Sequence, residues 1–165
     1  MICEIKAAPP PSTRFAMLTL AAALTAAIAA TASSSLGCPV WAMFMGWVAV
    51  FTRGHCASDA FFSYLCRVIG IAFGSGAALA VGALIPLIGP FAFGPVVFGV
   101  AIVVISLRAL PPVNHVPAYC LGLITFFAAH LEPGTIAICE LAAVSGLGSF
   151  AAWIAYRLQT QIMRT

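Results

Sequence analysis

Of 165 residues, 63% are hydrophobic and only 7% are charged, with a mean hydropathy of +1.12. A soluble domain carries roughly 25% charged residues to hydrate its surface, so this composition excludes a soluble globular fold and makes lipid the solvent of the chain. Seven Lys and Arg against four Asp and Glu give a net charge of +3, but the cations stand singly and form no nucleic-acid-binding patch.

A helix that crosses the membrane needs ~20 apolar residues, so about six such segments fill this length and leave no room for a separate soluble domain. The apolar runs are continuous and do not alternate with polar positions, which argues against a β-barrel. The expected fold is all-α, a polytopic transmembrane helix bundle.

In chain order, the first segment covers about 15–36, behind Lys6 and Arg14. Its basic start, Ala-rich middle and Ala30-Thr31-Ala32 also fit a secretory signal, and Ser35-Leu36-Gly37-Cys38 has the outline of a lipoprotein cleavage box. Because everything downstream is membrane-embedded too, an uncleaved span is the expected reading. The second segment, 39–51, is short for the hydrocarbon core at ~1.5 Å per residue. A polar stretch from Thr52 to Asp59 follows, then Phe61, Phe62 and Tyr64 as interfacial aromatics.

The third segment, about 67–88, carries Gly70, Gly74 and Gly76 in a small-xxx-small pattern that permits close helix contact. Gly89-Pro90 breaks the run. The fourth covers about 91–107 and the fifth, again short, 116–131, beginning with Pro117. Glu132-Pro133-Gly134 makes a turn before the sixth, about 135–156. The domain plan is a tail over 1–14, a helical membrane domain over 15–157 and a tail over 158–165.

Charge distribution tests the segmentation, because cytoplasmic loops are enriched in Lys and Arg. With the amino terminus inside, Lys6, Arg14, Arg53, Arg67, Arg108, Arg157 and Arg164 all fall on the cytoplasmic side. The opposite loops contain no Lys or Arg. A four-span plan, in which the short segments dip and return, puts Arg53 and Arg67 outside. The six-segment plan is therefore preferred, with both termini cytoplasmic.

Trp41-Ala-Met-Phe44-Met-Gly46-Trp47, the glycine-rich third segment, and the stretch from Val116-Pro117 through Gly122 to Thr125-Phe126-Phe127-Ala128 together resemble a family of small bacterial inner-membrane proteins, the domain-of-unknown-function family 1097. The resemblance runs from about Phe15 to Tyr156, while the stretch 91–107 carries none of its motifs. It implies a bacterial inner membrane and no established activity.

The two short segments occupy matching places in the two halves. Gly46 is followed by Phe51 and His55, and Gly122 by Phe127 and His130. Three segments per half make an inverted 3+3 repeat, and paired short segments point to a solute site near the midplane. Phe44, Gly46, Trp47, Phe51, Gly122, Thr125, Phe126, Phe127 and Glu140 are the candidate solute-pathway residues. Glu140 is the acid that lies within a hydrophobic segment, where a carboxylate is costly, although it sits within about two turns of its helix start.

His55, His115 and His130 lie at segment edges on different sides and are expected to be interfacial, not metal ligands. Asp59 with Arg53 and Arg67 reads as an interfacial charge cluster. The six cysteines contain no Cys-x-x-Cys pair, and Cys3 and Cys56 face a reducing compartment, so no structural disulfide is expected. No phosphate-binding loop, catalytic triad or carboxylate pair is present; an enzyme is not expected, nor is a cofactor.

The functional expectation is a channel or transporter for a small, neutral solute, since the segments offer one carboxylate and no buried basic cluster. The rival is a scaffold or accessory subunit that binds other membrane proteins, or a second copy of itself, through glycine-rich helix faces.

Overall fold

Lipid offers backbone groups no hydrogen-bonding partner, so each segment must satisfy its own, and helix is the form that does this for continuous apolar runs. The computed structural model of the chain describes residues 12–53 and 56–164, and every regular element among them is helical. The helices are α1 (Ser12–Ser35), α2 (Val40–Phe51), α3 (Ala57–Ile88), α4 (Phe93–Ser106), α5 (Val116–Ala129) and α6 (Thr135–Arg164). Their ends follow local chemistry. Pro39 enters α2 in an extended conformation, Pro117 sits in the first turn of α5, and His130 closes α5 in the left-handed region.

The expected segmentation needs three corrections. The third and fourth segments follow one another with no loop between them, helical residues running from Ala57 to Ala109, so among the described residues there are five uninterrupted helical stretches where six separated segments were expected. Gly89 adopts φ +58 and the following residues form a 3₁₀ turn, the corner from which α4 turns back along α3. α3 also begins at Ala57 instead of near Arg67, and α6 continues to Arg164. Finally, Cys56 is disulfide-bonded, against the expectation of no structural disulfide; Cys3 lies outside the described residues. Spacing in the sequence says nothing of which sulfurs the fold brings into bonding range.

Two compact units emerge, one reaching to Phe61 and resuming at Val144, the other Phe62–Ala143. In the first, α2 lies on the later part of α6. A side chain at Gly46 would collide with the Ser145 carbonyl, and one at Gly148 with the Met43 carbonyl. Ser149 Oγ donates to the Gly46 carbonyl at 3.2 Å. Val50, Ala60 and Ala152 form a small core flanked by Trp47, Phe51 and Trp153. Met43 with Gly148, Gly46 with Ser149 and Val50 with Ala152 ascend together, so the two helices run parallel.

In the second unit, α5 lies on α3 in the same manner. Gly122 abuts the Arg67 carbonyl, Gly70 the Tyr119 carbonyl, and Gly74 the Phe126 side chain. Ser63 with His115 and Gly74 with Phe126 again ascend together, giving a parallel pair. α4 folds back on α3 through Ala77, Val81, Ala92 and Val96.

The two units repeat one another in detail. Met43 and Gly46 match Tyr119 and Gly122; Ser145 and Gly148 match Arg67 and Gly70, three residues apart in every case. The outer helices follow suit. Thr25, Ile28, Ala29 and Ala32 of α1 line a groove with Phe150, Ala151 and Ile154. At the same spacing, Val96, Gly99, Val100 and Val103 of α4 line one with Ala72, Phe73 and Gly76. Each unit thus takes two helices from one half of the chain and its third from the other. The compact units therefore do not coincide with the two consecutive three-segment halves expected from the sequence.

α1 and α4 turn large apolar side chains outward: Leu20 is 68% and Phe98 68% exposed. Lipid accommodates such faces. Since overpacking costs about 1–3 kcal/mol or more, Gly46→Leu and Gly122→Leu should each lower thermal stability in detergent markedly. Gly76→Leu should not, because nothing lies near that position. Equal losses at all three positions would refute the assigned helix contacts.

Candidate functional site

Arg67 is the feature that sets the second unit apart. It stands on α3 one turn beyond Ser63 and Tyr64, on a common helix face. Ser63 and Arg67 are fully buried, and Tyr64 is half-buried. Glycines at 70 and 122 bring the α5 backbone against α3, so a long side chain at this register runs along α5 instead of into a loop. Arg67 Nη2 donates to Thr125 Oγ1 at 3.0 Å. The Thr125 hydroxyl in turn donates a hydrogen bond to the Leu121 carbonyl at 2.6 Å.

A polar scaffold surrounds this pair. Ser63 Oγ and His115 Nδ1 share a hydrogen bond at 3.3 Å. The Val113 carbonyl accepts from Tyr119 Oη at 2.9 Å and from Cys66 Sγ at 3.5 Å. Tyr64 Oη donates to the Ala142 carbonyl at 3.2 Å. These bonds fasten the α4–α5 link and the first part of α6 to α3, so Arg67 stands in a fixed frame. A guanidinium stays protonated over the biological pH range. Placing one at the bilayer centre costs ~2.5–3.5 kcal/mol on insertion scales, which is why such residues mark solute and ion paths.

The sequence-derived candidates separate into the two units. Gly46 and Gly122 are the helix contacts. Thr125 holds Arg67. Phe126 is buried and meets Phe127 edge-on at 5.7 Å, while Phe127 is 43% exposed and Phe44 40%, so these two face outward. Trp47 and Phe51 pack at 4.4 Å in the small core of the first unit. Glu140 is exposed and borders an open groove with residues of the α5–α6 link.

Among the remaining calls on polar residues, Arg53 pairs with Asp59 at 3.5 Å, as its place in a charge cluster implied. Arg67 does not sit in a loop with them but inside α3. His115 is buried on Ser63, His130 is exposed, and His55 lies outside the described residues. Arg157 stacks over the Trp153 ring at 5.0 Å.

Sequence reasoning missed Arg67 because it follows a polar stretch and was counted as a topology marker. The signal was nonetheless there: Ser63, Arg67, Gly70 and Gly74 recur at helical spacing on one face.

The model of a family described as protein of unknown function, DUF1097, matches residues 19–160. The chain belongs to this family. Among curated proteins and among solved structures, none matches. Three helical stretches among the described residues are long and apolar enough to cross a membrane, which is consistent with a membrane protein of this family.

Hydrogen bonds to charged groups contribute about 1.5–3 kcal/mol. Thr125→Val, which keeps the shape and removes the hydroxyl, should therefore lower stability by that order, whereas Thr160→Val, whose hydroxyl donates only to the Tyr156 carbonyl of its own helix, should not. Chemical unfolding in detergent measures both. Equal, negligible effects would mean that the Arg67–Thr125 bond does not hold the site.

Proposed function

We propose that this DUF1097 protein is a bacterial inner-membrane channel or transporter for a small solute, with both termini cytoplasmic and no enzymatic activity. The observation that carries the reading is a fully buried arginine, tied to a hydroxyl on a short helix, inside a repeated helical frame. Paired short helices in an internally repeated chain are the arrangement in which solute sites occur. At ~1.5 Å per residue, α2 and α5 extend only about 18 and 21 Å, short of the ~30 Å hydrocarbon core. Their ends therefore place irregular backbone at membrane depth, where it is tolerated against protein or a watery path. Helix directions within the units fit alternate crossings: α2 parallels α6, and α3 parallels α5 while opposing α4.

A neutral solute was expected because the segments offered one carboxylate and no buried basic cluster. With Arg67 buried and Glu140 exposed, that premise no longer holds. A scaffold role remains the second reading, favoured by Gly76, Gly82, Gly94 and Gly99, which all face open space and offer small-residue surfaces to another membrane helix.

Purified protein in sealed liposomes should release or admit at least one of a panel of small neutral and charged solutes. Liposomes that stay tight to the whole panel would instead support the scaffold. For orientation, an impermeant thiol reagent outside intact cells should label Cys38, half-buried in the α1–α2 link, and spare buried Cys66. Labelling of Cys38 only in inverted vesicles would reverse the topology.

A further inference from the structure

We propose that Arg67 is the solute-recognition residue and that the solute is a small monovalent oxyanion; this rests on the transport reading above. The argument comes from the repeat. Its two units make the same helix contact through the same four registers, yet the position matching Arg67 is Ser145 and the position matching Thr125 is Ala49. Both Ser145 and Ala49 are fully buried. Close approach of a short helix to a long one is therefore achieved in the first unit with a serine and an alanine. The contact does not require a cation or its hydroxyl partner.

A costly group that the packing does not need marks a chemical role. The chemistry follows from charge and shape. An anion brought to Arg67 is attracted by the guanidinium charge in a medium of low dielectric, and a cation there is repelled. A guanidinium fork presents parallel N–H donors to two oxygens of one oxyanion. Thr125, which accepts from Nη2 and donates to the Leu121 carbonyl, fixes the plane of that fork. It acts as a positioning residue.

The repeat also supplies the control variant. Arg67→Ser with Thr125→Ala copies the pair the first unit already uses, so the close helix contact has a native precedent. Proteoliposomes would be assayed for nitrate and methanesulfonate flux, both strong acids without a permeant neutral form, with urea and glycerol as neutral probes. Wild-type protein should pass one or both anions, and the double variant should lose roughly ten-fold or more of that flux. Arg67→Lys should retain part of it. Thr125→Val should raise the half-saturating anion concentration several-fold with its maximal rate kept, which a purely structural residue would not do.

Anion flux unchanged in a folded double variant would overturn the proposal. Neutral solutes passing while both anions are excluded would overturn it and leave the transport reading standing. Tightness to every probe would remove both. Should the double variant fail to fold, Arg67→Lys and Thr125→Val decide: wild-type anion kinetics in both would overturn the assignment.

Discussion

Two contacts between helix backbones, one where Gly46 and Gly148 meet Ser145 and Met43 and one where Gly122 and Gly70 meet Arg67 and Tyr119, govern the rest of the described structure. In lipid there is no hydrophobic force to press helices together, since the tails are as apolar as the side chains. Association must come from close packing, and glycine lets carbonyl oxygens of one helix sit where side chains would otherwise stand. Each contact joins a short helix to a long one in parallel. With the small residues inside, bulky ones such as Phe44, Phe98 and Leu20 are left for the outer faces.

The same contacts explain where the polar groups go. A residue three positions before the packing glycine of the long helix faces the partner helix, whatever its chemistry. In one unit that residue is Ser145 and in the other Arg67. Arg67 is thus carried inward by register, and its length brings the guanidinium one turn along α5 from Gly122 to Thr125. Ser63 and Cys66, on the turn before it, meet His115 and the Val113 carbonyl for the same reason. The polar line on α3 is the consequence of a packing rule applied to one sequence.

Much of this was legible beforehand. Continuous apolar runs, the Gly89-Pro90 break, the proline starts of α2 and α5, and the brevity of both are local properties, and local properties are written in sequence. The matching places of Gly46 and Gly122 were visible too. What could not be read was partnership: nothing in the spacing says that α2 would take α6 and α5 would take α3, because both choices bury the same kinds of surface. Arg67 was misplaced for a related reason. Its side chain belongs to a loop or to an interior according to where its helix begins, and α3 begins ten residues earlier than its hydrophobicity suggested, about 15 Å along the axis. Glu140 was the converse case, an acid in an apolar run that the helix turns outward. The Cys56 bond depends on proximity in space, which the six cysteine positions do not encode.

A repeat separates what maintains a fold from what the fold is for. Features present in both units, the glycine contacts, the parallel pairs and the grooves along α1 and α4, are the ones needed twice and so are those that hold helices together. Features present once are free of that requirement. Arg67 and Thr125 are present once, at registers that Ser145 and Ala49 occupy in the other unit. Burying a guanidinium in both units would have doubled an unfavourable charge-transfer cost without improving either contact. Its restriction to one unit is what selection for a single recognition site on a duplicated frame would leave behind.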